Sequence, residues 1–240
     1  MSDLFLLGFG KGGWGGLLLQ AAIMTLAVTL AALIIGAVLG ALIAWAKLSR
    51  SLPASLLGEC YTVVFRGVPE LLIIYLCYFG GSSLLSGIFH MSGGAGFVGI
   101  PPFVAGAFGV GLICAAYQAE VYRGAYLAVS KGEIEAAVAI GMPRLLRLRR
   151  ILIPQVMRFS LPGLNNVWQM SLKDSALVSV TGLAEIMRTT DVAARTTREY
   201  FLFYVAGAAL YLMLTAVSNQ VVEKAESATD KAFTPRTEEA

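Results

Sequence analysis

Residues 17–46 and 71–119 contain no Lys, Arg, Asp or Glu, and that absence limits the fold more than any motif in the chain. A helix rises 1.5 Å per residue, so about 20 apolar residues cross a hydrocarbon core about 30 Å thick. The first run suits one crossing. The second is too long for one and is punctuated by His90, Ser92, Gly93, Gly94, Gly96, Pro101 and Pro102, so it reads as two spans joined by a loop. Residues 159–184 and 200–222 bring the set to five. Only 14% of the chain is charged and 57% is hydrophobic, with a mean hydropathy of +0.74, against roughly 25% charge in soluble domains. The expected fold is one all-α integral membrane domain over residues 1–240, with spans near 17–46, 60–86, 102–122, 159–184 and 200–222.

Basic residues orient such spans, because Lys and Arg accumulate on the cytoplasmic side. With the N-terminus outside, the inner segments hold Lys47, Arg50, Arg123, Lys131, Arg144, Arg147, Arg149, Arg150, Arg158, Lys224, Lys231 and Arg236, twelve in all. The outer segments hold four: Lys11, Arg188, Arg195 and Arg198. The expectation is therefore N-terminus out and C-terminus in, and the net charge of +3 is a topology signal that calls for no nucleic acid. The N-terminus lacks a basic leader segment, carries Asp3 and has too long an apolar run for a cleaved signal peptide. It reads as an uncleaved first span, and the polar tail from Glu223 as frayed at its end.

Catalytic and metal chemistry find little footing. Cys60, Cys77 and Cys114 fall in or beside spans without paired spacing and read as small buried hydrophobes. His90 is the only histidine, so no metal site is expected. Gly10-Lys11-Gly12 looks superficially like a phosphate loop. However, Gly12 stands where Ser or Thr must follow the lysine, and Phe5 occupies the outlying glycine position. The chain is expected to be no enzyme.

Between the third and fourth spans lies a basic segment, residues 123–158. Ser130 and Glu133 have capping-box spacing, and a helix from there would pass Glu135, Ala136 and Ala137 and end near Gly141, a good left-handed cap. Pro143 suits the first turn of a second helix, in which Leu145, Leu146, Leu148, Ile151 and Leu152 alternate with Arg144, Arg147, Arg149 and Arg150. Such a helix would lie at the headgroups with its arginines near anionic lipid. The spacing E-A-A, three residues, Gly141, nine residues, Ile151, then Ile153-Pro154 resembles the EAA loop of the membrane subunits of bacterial ATP-binding-cassette importers. Ile153 departs from it, standing where Leu is usual.

The resemblance extends over most of residues 17–222. Phe65-Arg66-Gly67-Val68-Pro69 is similar to the F-R-G-x-P segment of polar amino-acid permeases. Residues Ala116 to Gly124 look like their A-Y-x-A-E-x-x-R-G, and Leu172 to Ser179 like their L-K-D-S-x-L-V-S. Glu70 and Trp168-Gln169 favour the histidine/lysine/arginine/ornithine and opine branch. The resemblance implies a multi-pass subunit of the bacterial inner membrane that forms the path for a polar, basic amino acid or an opine. It implies an ATPase-docking helix carried by Glu135, Ala136, Ala137, Gly141 and Pro154. Implied partners are a homologous permease subunit, two ATPase subunits that hold ATP and Mg, and an external binding protein. No cofactor is implied in this chain. A self-contained secondary transporter or channel would also explain spans with buried charges, but not the in-register loop.

Ionisable groups inside spans are costly and are paired or face wet cavities. Glu59, Arg66 and Glu70 share one helical face by spacing. Arg66 is expected to pair with Glu70 or Glu59, and Glu120 to be structural. Glu70 stands where the family usually has an apolar residue, which makes it a candidate substrate carboxylate. Asn166, Gln169 and Lys173 recur at intervals of three and four with Asn165 beside them. Such a stripe can bind an amino acid's carboxylate and amine, or bond across to neighbouring helices. Asp174 belongs with it, paired to Lys173 or to another subunit.

Overall fold

A computed structural model describes residues 3–10 and 12–233, and every regular element among them is helical. Lys11 and Arg236 lie outside the described residues. After a single turn, α1 (Asp3–Leu6), the long helix α2 (Gly15–Leu48) packs along α6 (Pro102–Ala128), and this is the most extensive contact in the molecule. The close approach depends on missing side chains. A Cβ on Gly36 would stand 2.8 Å from the Cys114 Cβ, and one on Gly40 would stand 3.0 Å from the Ala115 carbonyl. Small residues at i and i+4 let two backbones meet where lipid supplies no hydrophobic drive. Val28, Ala32, Val110 and Cys114 from this pair join Ile74, Val167 and Val178 in the main core.

The stretch expected to be the second span is divided. Helix α3 (Leu52–Gly67) ends at an extended Val68 (φ −93°, ψ 138°), and α4 (Glu70–Tyr75) starts after Pro69. Proline cannot donate to the preceding turn, and it drives its predecessor out of the helical region. After a π-helical turn, Leu76–Gly80, the chain continues as α5 (Gly81–Met91). The loop that follows is held by two serines of α5: Ser86 Oγ accepts from Val98 N at 2.9 Å, and Ser82 Oγ accepts from Ile100 N at 3.0 Å. His90 Nε2 lies 2.8 Å from the Gly96 carbonyl. Of the three cysteines only Cys114 is buried; Cys60 is exposed and Cys77 half-buried.

Among the described residues, four helical stretches are long and apolar enough to cross a membrane: Gly15–Leu48, Glu70–Met91, Pro102–Ala128 and Tyr200–Lys224. The segment expected as the fourth span is not among them. It forms α9 (Ile153–Asp174) and a 3-10 turn, Ser175–Thr181, and its polar stripe lowers its apolarity. A short amphipathic helix α10 (Ile186–Thr197) then leads to α11 (Tyr200–Phe233), which remains helical well past Glu223. Near the start of α2, Trp14 meets Phe203 of α11 edge-on at 6.1 Å.

Candidate functional site

The basic segment between α6 and α9 folds as two short helices. The first, α7 (Lys131–Ala139), closes with Met142 N donating to Ala137 O at 3.0 Å and Gly141 N donating to Val138 O at 2.9 Å. With Gly141 at φ +75°, this is the left-handed cap that the glycine foretold. Glu135 and Ala136 are exposed, while Ala137 is buried. The expected capping box does not form. Ser130 makes no side-chain cap, and Glu133 instead accepts from the Gln155 side chain of α9. That contact ties α7 to the long helix. Pro143 stands just before α8 (Arg144–Arg147) rather than inside its first turn. A π-helical turn, Leu148–Leu152, joins α8 to α9 without a break, and half-buried Pro154 lies in the first turn of α9.

At the same end of the bundle, Lys47 in the last turn of α2 is the hub of an ion-pair cluster. Its Nζ lies 2.7 Å from Glu59 Oε2, meets Glu120 on its other side, and donates to Thr62 Oγ1 at 2.9 Å. Glu120 also accepts from Arg123 Nε at 3.1 Å. Arg66 takes neither expected partner. The Val68–Pro69 break removes Glu70 from its helical face, and Lys47 occupies Glu59. The Arg66 guanidinium lies over the Tyr117 ring, 5.2 Å from its centroid, beside a cavity of about 290 Å3 that Glu59 and Glu120 also line. Position alone marked Lys47 as an inner-loop charge, so its role as hub was missed. Its signal was a lysine ending an uncharged run, with a lone acid in each of two neighbouring helices.

Deeper in the bundle, α4 packs against the 3-10 turn that follows α9. This sets Glu70, at the first residue of α4, and Asp174, the last residue of α9, on adjoining elements. Asp174 Oδ2 and Asn165 Oδ1 are buried without a hydrogen-bond partner among the described residues, and so is Trp168 Nε1. Gln169 Nε2 donates to Asn219 Oδ1 of α11 at 2.9 Å. Asn166 and Lys173 are exposed. The stripe therefore splits: the Gln169 amide links two helices, Asn166 and Lys173 are exposed, and one oxygen each of Asn165 and Asp174 is buried.

Sequence reasoning also passed over Glu185. It is fully buried and caps α10, accepting from Arg188 N at 2.7 Å and Met187 N at 2.9 Å. Tyr211 of α11 donates to it at 2.9 Å, and Thr25 of α2 accepts from Ile186 N at 3.2 Å. The available signal was one acid isolated in the apolar run Gly182-Leu183-Ala184-Glu185-Ile186-Met187. Among the described residues no group of three or more His, Cys, Asp and Glu is placed to hold a metal.

Comparison with known proteins places this arrangement. Residues 36–229 match the family described as the binding-protein-dependent transport system inner membrane component. The octopine transport system permease protein OccQ of Rhizobium meliloti is 51% identical over 227 residues, covering 95% of this chain and 96% of its own. The histidine/lysine/arginine/ornithine transport system permease protein HisQ of Escherichia coli (strain K12) is 40% identical over 210 residues, covering 88% and 92%. A crystal structure of an amino acid ABC transporter with histidines aligns at a TM-score of 0.76 with 33% identity, over 90% of this chain and 95% of that one. The MetNI methionine ABC transporter in an inward-facing conformation shares the fold, with a TM-score of 0.71 at 16% identity over 90% and 97% of the two chains. A family defined by dependence on a binding protein does not favour a self-contained transporter. The chain belongs to this family of inner-membrane permease components of binding-protein-dependent transport systems.

Proposed function

We propose that this subunit forms half of an ATP-driven import path for a basic amino acid or an opine, and that Glu70 and Asp174 receive the substrate's cationic group. The observation that carries the reading is the packing of α4 on the turn after α9, which sets Glu70 and Asp174 on adjoining elements, with Asp174 Oδ2 buried and without a hydrogen-bond partner among the described residues. Two acids in a low-dielectric site repel each other unless a cation joins them. The amide of Asn165 and the exposed Asn166 and Lys173 are suited to a zwitterion's remaining carboxylate and amine. The names of the octopine and histidine/lysine/arginine/ornithine relatives agree with a cationic solute.

A homologous permease subunit completes the path, and two ATPase subunits that hold ATP and Mg dock at the segment from α7 to the first turn of α9 through Glu135, Ala136, Ala137, Gly141 and Pro154. An external binding protein delivers the solute. Closing the ATPase pair moves the docked helices together, so ATP and the loaded binding protein bias one two-state equilibrium.

The test is uptake by the reconstituted transporter with its binding protein. Cationic amino acids and opines should compete for entry, and neutral amino acids of similar size should not. Equal competition by neutral solutes would remove the carboxylate pair from the reading.

A further inference from the structure

Between the ends of α2 and α6 and the start of α9 lies a cavity of about 590 Å3. Ala41, Ala44, Leu48, Leu152, Val156 and Met157 make its walls apolar. Ser49 and three interfacial residue types, Trp45, Tyr122 and Tyr126, also line it, and the rings of the latter favour the headgroup level. Trp45 is 72% exposed at the rim. The cavity thus combines an apolar interior with an amphipathic mouth, at the depth where two crossing-length helices end.

The charge around that mouth is unbalanced. Arg50 follows the lining residue Ser49, and Arg149 and Arg150 follow the lining residue Leu148. All three are exposed, and among the described residues none forms an ion pair. Lys47 and Arg123 share Glu120, and Arg195 pairs with Asp191 at 2.9 Å, whereas Arg66 lies over the Tyr117 ring. Unpaired guanidinium groups bordering an apolar cavity at a membrane boundary match one ligand chemistry, a phosphate diester joined to acyl chains.

We propose that this cavity is a binding site for an anionic phospholipid of the phosphatidylglycerol type. An acyl chain fills the groove between α2 and α9, and Arg50, Arg149 and Arg150 hold the phosphate. The site is separate from the substrate path and does not depend on the identity of the solute.

The assembled transporter, reconstituted in nanodiscs of mixed phosphatidylethanolamine and phosphatidylglycerol, tests this by native mass spectrometry of retained lipid. Phosphatidylglycerol should be retained in preference. The triple variant R50Q/R149Q/R150Q should lose that preference by roughly fivefold per charge removed, and R188Q/R195Q should keep it. Equal retention of the two lipids, or an unchanged preference in the triple variant, overturns the proposal. A photo-crosslinking benzophenone side chain at Trp45 gives an independent arm that leaves the arginines intact. A phospholipid adduct supports the site, and an adduct to another subunit overturns it.

Discussion

Lys47 Nζ lies 2.7 Å from the Glu59 carboxylate although only 4% of the lysine side chain is exposed, whereas that of Glu59 is 61% exposed. The lysine therefore depends on a second acid, Glu120, whose side chain is 22% exposed and which lies on the central helix α6. A desolvated ammonium between two carboxylates joins α2, α3 and α6 at the α7 end of the bundle. Its worth is asymmetric: removing the cation leaves Glu120 partly buried beside Glu59, while removing Glu59 leaves a solvated end of the network.

Lys47→Met should accordingly destabilise the folded subunit by about 3 kcal/mol, the low end of the range for breaking a buried pair. Glu120→Gln should follow it, and Glu59→Gln should cost under about 1 kcal/mol. Thermal unfolding in detergent orders the three. Equal losses at Glu59 and Glu120 would show that burial does not set the energetics.

The membrane class, the loop helix and its glycine cap were legible because each rests on local chemistry. A long uncharged run and E-A-A followed by Gly141 are each read within one segment of the chain. Partners were less legible. Arg66 faces Tyr117 rather than an acid because Pro69 breaks the helix on which its spacing to Glu70 was counted. The roles of Lys47 and Glu185 and the packing of α4 on the turn after α9 all depend on contacts between helices distant in sequence. Nothing in a single helix period specifies those.

The docking-helix reading makes a strict prediction at Gly141. A side chain at φ +75° costs roughly 1–2 kcal/mol before any clash with a partner, and Glu135 presents its charge on the exposed surface of α7. Gly141→Asp and Glu135→Lys should both reach normal membrane abundance, since neither alters a crossing helix. Each should weaken ATPase association and abolish stimulation of hydrolysis by the loaded binding protein. Full coupling in both variants would reduce the loop to a topology signal.

If Glu70 meets a cationic solute, Glu70→Gln removes one partner of a desolvated charge pair, typically a loss of 2–5 kcal/mol. Uptake of basic substrates should fall while the complex still assembles. Asp174→Asn should act on the same step, and the double variant should lose less than the sum of the two, because they share one ligand. Strict additivity in uptake assays would place the two carboxyl groups in separate roles.

Glu185 offers a test of how the short helix α10 is held. Its carboxylate answers two backbone amides and the Tyr211 hydroxyl from a fully buried position, so α10 is anchored to α11 through one side chain. Thr25 holds the Ile186 amide from α2. Glu185→Ala orphans three donors in a buried site, and each unsatisfied group costs about 1–3 kcal/mol. Tyr211→Phe removes a single donor and leaves the cap itself in place, so it should cost about 1 kcal/mol. The expected order is therefore a large loss of thermal stability for Glu185→Ala, a small one for Tyr211→Phe, and an intermediate one for Glu185→Gln, whose amide oxygen can still accept from the backbone. Hydrogen exchange should show the amides of Met187 and Arg188 losing protection in Glu185→Ala and keeping it in Tyr211→Phe. Protected amides in the alanine variant would mean that packing of Ile186, Ala193 and Ala194, rather than the buried carboxylate, holds the helix in place.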